Sequence, residues 1–474
     1  MEKQKKEKPG LLQAIQNKAI RKHVASILKT DTSALKEFED AYKKTSLEFQ
    51  TDNLFQINAK QAAEVHEGAL ICDNELLDTV INKIVNSLIM QTSYWKCENG
   101  KVISVEGQDA PEQYKVTREE LSSLPENIRP DLTGELTRVD FKIPSSEILI
   151  TQWDAWKKTG NIMYYHMFRQ GLDLLDIDPV TYQMIDMNPN SCGYWLPKIV
   201  QPVYKQSFFK IPDTTIIKVP LTLLQLTKIE YSTFSKTTME ILNAYCRKIF
   251  QLNEQNDYFI RTGVCSSKYD FRNAHVHGAK EVRELGEYLM FIHFQANMRA
   301  GYNIDMKTGN TISNYGSGTT TEWVVREFIP DGEDNLKIYH GLPLRTEYRV
   351  FVDFDTDQVI GIHPYWDGEL MKSHFDMYDD PDSTHDYITF TANEVRMISR
   401  YNKHRNMIVN KIEQIAGAID LPGQWSVDIM QNGDDFYIID LARAQESVYY
   451  DCIPEEKRKT LVQNWMPEIE LQKK

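Results

Sequence analysis

The chain has 474 residues, 41% hydrophobic and 26% charged, with 8 Trp, 24 Tyr and 19 Phe; this argues against wholesale disorder and for about two to four domains. A net charge of −14 disfavours a general nucleic-acid binder, which needs a basic footprint, but is compatible with a local cationic cleft for a small anion. No stretch approaches the roughly 18 apolar residues of a membrane helix, the Lys-rich start lacks a secretory apolar run, and six scattered cysteines without paired spacing suit reduced thiols in a cytoplasm.

The first hundred residues read as helical. Leu11–Leu28 is a mixed apolar and basic run, and Asp31-Thr-Ser caps Ala34–Lys44. Ile81, Ile84, Val85, Leu88 and Ile89 recur at helical spacing, which predicts a helix over Asn74–Met90 that Asn99-Gly100 closes off. Within the polar stretch beyond it, Thr117 and Glu120 form a capping-box pair. Residues 1–140 are thus expected to be a mainly helical accessory domain. From Phe141 short β-rich runs take over: Glu147–Thr151, Thr215–Val219, Tyr258–Arg261, Trp323–Phe328, Tyr348–Asp353, Val359–His363, Trp425–Met430 and Phe436–Leu441. They alternate with helical stretches Lys236–Phe250, Glu281–Gln295 and Ala392–Ile415, an α+β texture. The expected division is 141–250 as a pre-core region, 251–330 as a small subdomain with a hinge, and 331–474 as a large subdomain with a tail. The acidic run Asp376–Asp386 reads as a solvated loop.

Three strand regions carry charge where a buried strand is normally apolar. Tyr258-Phe-Ile ends on Arg261, with Lys268 in the loop beyond. Alternation puts Glu347, Arg349, Phe351 and Asp353 on one strand face. Single carboxylates, Asp428 and Asp440, interrupt the last two strands. Isolated buried charges are costly and are normally paired or bound to a metal. Two cations and two carboxylates, each on a well-formed strand, are what a magnesium nucleotide needs, since Mg²⁺ takes one or two carboxylates and completes its shell with phosphate and water. Structural ion pairs such as Arg349 with Glu347 are the competing explanation. No GxxxxGK[ST], no strand-linked GxGxxG, no nucleophile elbow and no Cys–His signature is present. Gly316-Ser-Gly318 reads as a connector, and His275, His277 and His293 as ordinary loop and core histidines.

The strings "YFIRTGVCSSK", "EWVVREFIP", "TEYRVFVD" and "WSVDIMQNGDDFYIIDL", preceded by "YWLPKIVQPV" and "TTIIKVPL", resemble in order and spacing the ATP-grasp core over about residues 195–450. More narrowly they resemble the branch of the eukaryotic cell-division-cycle assembly chaperone for translation initiation factor two and related bacterial and phage proteins. The resemblance implies ATP and Mg²⁺ as ligands. By it, Arg261 and Lys268 flank the α- and β-phosphates, and Arg326, Glu327, Phe328 and Ile329 form a hinge whose backbone binds adenine. Arg349 faces the γ-phosphate, and Asp428 and Asp440 hold the metal. The family's Asn two positions after the last metal carboxylate is Ala442 here, leaving Gln445 or Glu446 as substitutes.

ATP-grasp enzymes join a carboxylate to an amine through an acyl phosphate. The expectation is therefore an ATP- and Mg-dependent carboxylate–amine ligase acting on a peptide or protein; the alternative is a non-catalytic ATP-binding assembly chaperone or protein-binding module. A shared metal places a condition on the strand register. Asp428 and Asp440 flank a turn-rich loop, and they share a strand face only if paired residue numbers have an even sum. A tight Asn432-Gly433 turn separates them, so a longer loop or a compensating bulge is expected.

Overall fold

A computed structural model describes residues 74–130, 144–299, 302–304, 311–313, 316–368, 371 and 381–459, all within a unit beginning at Asn74. The expected elements at Leu11–Leu28 and Ala34–Lys44 lie outside the described residues. The helix predicted from its apolar period spans Asn74–Gln91, with Val80, Ile84, Val85 and Leu88 buried. Asn99-Gly100, expected to end a helical block, is instead a hairpin turn, both residues having positive φ. Asn-Gly suits the mirror-image turn that matches strand twist. The capping box at Thr117 and Glu120 is formed as expected, both reciprocal bonds present. The strand expected at Glu147–Thr151 is a correction: it lies in a helix, Ser145–Thr159, because Leu149, Trp153 and Trp156 recur at the helical period and are buried together.

In chain order the strands are β1 (Ser93–Glu98), β2 (Lys101–Val105), β3 (Phe209–Lys210), β4 (Thr214–Lys218), β5 (Tyr258–Thr262), β6 (His275–Val276), β7 (Tyr302–Ile304) and β8 (Thr311–Ser313). They continue with β9 (Glu322–Glu327), β10 (Lys337–Ile338), β11 (Leu342–Pro343), β12 (Glu347–Asp353), β13 (Gln358–Pro364), β14 (Gln424–Asn432) and β15 (Asp435–Arg443). Most of them assemble into two large sheets. The first has the order β2-β1-β4-β9-β5-β6, and the second β13-β12-β14-β15-β3. Every pairing in them is antiparallel except β15 with β3.

Helix Leu285–Arg299 packs on β5, where buried Trp323 of β9 donates its indole N–H to His293 at 3.0 Å. Burial pushes His293 down to about 3, so the ring is a neutral core acceptor. Helix Cys192–Gln206 touches both sheets, and its Trp195 shares one core with Val324 of β9 and with Tyr348, Val350 and Trp425 of the second sheet. The helix Pro381–Ala416 covers the second sheet with Tyr401, Ile408, Ile412 and Ile415. Its start corrects the solvated-loop expectation for 381–386: Asp386 is buried and accepts the Tyr339 N–H. On β12 the predicted alternation holds, with Tyr348, Val350 and Val352 facing that helix core.

Candidate functional site

A cleft forms where β5 and β9 of the first sheet approach β12, β14 and β15 of the second. All nine residues singled out from the sequence line it: Arg261, Lys268, Arg326, Glu327, Phe328, Ile329, Arg349, Asp428 and Asp440. The cleft has two ends of different chemistry. Phe259, Phe271, Phe328, Leu342 and Met430 make one end apolar, and His275 backs it, its ring stacked on Phe328 at a centroid distance of 4.0 Å. Of these Phe328 was singled out in the sequence; Phe259, Phe271, Leu342, Met430 and His275, along with Arg345, Glu347 and Tyr365, were missed as site residues. Aromatic and aliphatic residues in strands read as core, and only their convergence distinguishes them.

The other end is ionic, and its central feature is one row across three strands and a fourth. Arg349 of β12 sits opposite Asp428 of β14, which sits opposite Asp440 of β15. Arg349 grips Asp428 with two bonds, Nε to Oδ1 at 2.8 Å and Nη2 to Oδ2 at 2.7 Å. Asp440 in turn lies 3.0 Å from Nη1 of Arg261, which arrives from β5 of the first sheet. Burial disfavours charge on both arginines, but the facing carboxylates outweigh it and raise their proton affinity. Lys268 stands 3.8 Å from Glu347 and over the Tyr365 ring at 3.6 Å, and Arg349 covers the same ring at 4.7 Å. The three cations expected to converge therefore do.

The register condition is met through a bulge. The turn is tight, Asn432 pairing with Asp435, and gives an odd sum up to Ile429 opposite Ile438. The ladder then skips Ile439, the sum becomes even, and Asp428 faces Asp440 directly.

Neither Gln445 nor Glu446 lines the cleft; Glu446 is taken by Arg169 at 2.7 Å and by Asn190. Part of the hinge backbone is engaged by protein: Glu327 N–H donates to the Asp213 carbonyl, Phe328 N–H to the Asp257 carbonyl, and the Ile329 carbonyl accepts from Arg345. Sequence order shows which residues are contiguous with a strand end, but not which backbone groups neighbouring chain has consumed. Arg326 lines the cleft, yet its side chain is engaged by protein. Its buried side chain crosses to the second sheet and donates to the Ile439 carbonyl.

Whether the residues fit a nucleotide with magnesium can be judged from polar atoms that lack partners. Arg261 Nη2, Arg326 Nε, Arg345 Nε and Glu347 Oε2 are buried without a hydrogen bond. Each such group costs about 1–3 kcal/mol, a cost that ligand oxygens on the Arg261 guanidinium would relieve. Burial pushes the Glu347 carboxyl up, with Lys268 opposing and Asp428 reinforcing. Five cations and four carboxylates line the cleft, so an entering polyanion meets a small positive excess, and an accompanying cation meets two facing aspartates. The donor set fits. Among the described residues no group of three or more His, Cys, Asp or Glu has metal-holding geometry.

Fold and cleft together define an α+β protein with a half-apolar, half-ionic site between two sheets. Neither a protein-family model nor a curated protein sequence matches the chain. Solved structures that match include C-terminally truncated Cdc123 from Schizosaccharomyces pombe, at 13% identity and a TM-score of 0.31, covering 60% of this chain and 96% of that one. Cdc123 from the same organism matches at 12% identity and 0.31, covering 58% and 96%. A likeness that loose carries no weight for function, which rests on the cleft. Among the described residues no helix is long and apolar enough to cross a membrane.

Proposed function

We propose that the cleft binds ATP with magnesium in an ATP-grasp arrangement, and that the chain is a carboxylate–amine ligase acting on a peptide or protein. The observation that carries this reading is the row Arg349–Asp428–Asp440–Arg261, two facing carboxylates with an arginine at each end, spanning both sheets. The base occupies the apolar end beside Phe328. Arg261 and Lys268 take the α- and β-phosphates, and Arg349 the γ-phosphate. Asp428 and Asp440 hold magnesium, which when bound neutralises phosphate charge.

In the ligase reaction a substrate carboxylate oxygen bonds to the γ-phosphorus as the bond to ADP breaks. An amine nitrogen then attacks the acyl carbon and phosphate leaves. The protein's part is positioning and charge neutralisation, which needs no covalent nucleophile.

A second reading, an ATP-loaded assembly or protein-binding module, is favoured by one observation. Both aspartates are already held by arginines, and Ala442, opposite Ser426, offers no third ligand. Such a site suits retention of nucleotide more than turnover.

Thermal shifts of the full chain with ATP or GTP, with and without magnesium, test the shared core of both readings. A ligand at 100 times its Kd adds about 2.7 kcal/mol to stability. No shift at millimolar ATP sinks the nucleotide reading. Release of ADP and phosphate stimulated by a mixed peptide pool supports the ligase, and tight ATP binding without such release supports the module.

A further inference from the structure

The bulge that brings Asp440 to face Asp428 is not self-supporting. Ile439 is the residue left out of the β14 ladder. On its other edge β15 meets β3 only at Phe436 and Tyr437, so no strand continues alongside Ile439. Its carbonyl is instead met by Arg326, reaching across from β9. Arg326 is 5% exposed and anchored at its base by β4 and β5 on either side. Its guanidinium lies 5.9 Å from the Trp195 ring, and Nη2 is 3.7 Å from the Cys192 sulfur. The next residue along β15, Asp440, is met by Arg261 of β5, whose neighbour in the sheet is β9. Two arginines of the first sheet thus engage consecutive residues of one bulge.

We infer that Arg326 is a positioning residue: it stands in for the missing strand neighbour, fixes the bulge at Ile439, and so holds Asp440 on the metal side of the sheet. Without that bond the ladder is free to lose the bulge. A one-residue slip then turns Asp440 to the opposite face while leaving Asp428, Arg349 and Lys268 in place. Arg326 acts through Asp440, not on the nucleotide. The inference rests on the reading of the cleft as a magnesium nucleotide site.

The test is calorimetric titration of ATP into the full chain, with magnesium and with EDTA, for wild type, Arg326→Met, Arg326→Lys, Asp440→Asn and Arg326→Met/Asp440→Asn. Arg326→Met is expected to keep its magnesium-free ATP affinity and to lose about 10- to 100-fold from the magnesium-dependent gain, the usual effect of removing a group that orients a metal ligand. Arg326→Lys, which keeps a donor, retains part of the gain, and serves alone if the methionine variant fails to fold. The double variant should be no worse than Asp440→Asn. A full magnesium gain in folded Arg326→Met, a full gain in Arg326→Lys with no partial loss, or additive losses in the double variant overturn the inference while leaving the nucleotide reading intact. A wild type that does not bind ATP overturns both.

Discussion

Two buried charged clusters in this protein differ in one respect. Asp173, fully buried, accepts from Gly316 N–H, Gly318 N–H at 2.9 Å and the Thr319 hydroxyl at 2.7 Å, and Lys228 donates to its carbonyl oxygen. Burial raises the Asp173 carboxyl, opposed by these bonds, and brings Lys228 down to about 8. The cleft cluster holds more charges, yet Arg261, Arg326, Arg345 and Glu347 each keep a buried polar atom without a hydrogen bond. A saturated carboxylate ties a loop down. An unsaturated set has donors and acceptors to spare for something that is not protein. The contrast also explains Gly316-Ser-Gly318, which looked like a connector: its N–H groups are the donors Asp173 needs.

The largest effect should come from breaking the saturated cluster. Asp173→Ala leaves two backbone N–H groups and a hydroxyl without an acceptor and is expected to cost about 3–5 kcal/mol in urea unfolding. ATP affinity of the folded fraction should not change. A loss of affinity at unchanged stability would erase the distinction between the clusters.

At the cleft, Arg349→Ala should lower ligase turnover roughly 10²- to 10³-fold, as removal of one preorganised stabilising donor does. Lysine should restore only part, since a single ammonium cannot give a phosphoryl group the two-pronged hold of a guanidinium. Steady-state kinetics decide, and normal turnover in the alanine variant removes Arg349 from the chemistry.

Glu322 begins the strand that carries Arg326 and receives the Gly193 N–H at 2.8 Å. Burial pushes its carboxyl from 4.5 up to about 7. The folded state therefore holds a proton that the unfolded state gives up, so the contribution is fully present below about pH 4.5 and is lost as pH rises through about 7. The amplitude is on the order of 3 kcal/mol. Glu322→Gln should flatten this limb of the stability–pH curve; an unchanged limb assigns it to another group.

The smallest effect belongs to the apolar end. Phe328→Leu removes the stacking partner of His275 and is expected to weaken ATP binding by about 0.5–1.5 kcal/mol with no change in the magnesium-dependent gain. A selective loss of that gain would mean the two ends are not separable.

The ionic end was legible in the sequence because charge in a strand interior is anomalous: Arg261, Arg349, Asp428 and Asp440 each break an apolar run. The need for a bulge came from parity alone, but its position at Ile439 did not, since Tyr437-Ile-Ile-Asp440 offers no glycine to mark it. The apolar end was illegible because Phe259, Phe271 and Met430 look like any other core residue. Arg326 was visible, but the partner of its side chain was not. Its neighbours in sequence pointed to a hinge, whereas its partner, a carbonyl 113 positions away, is a matter of tertiary packing. The Glu147–Thr151 strand failed for the opposite reason, local β propensity losing to an apolar stripe that only a helix can bury on one side.

The most direct measurement is a crystal structure of the full chain with magnesium and a non-hydrolysable ATP analogue. The account predicts phosphate oxygens within hydrogen-bond distance of Arg261, Lys268 and Arg349, magnesium between Asp428 and Asp440, and the base against Phe328. A nucleotide bound elsewhere, or a cleft whose Arg349–Asp428 and Arg261–Asp440 pairs stay closed at saturating ligand, would contradict it.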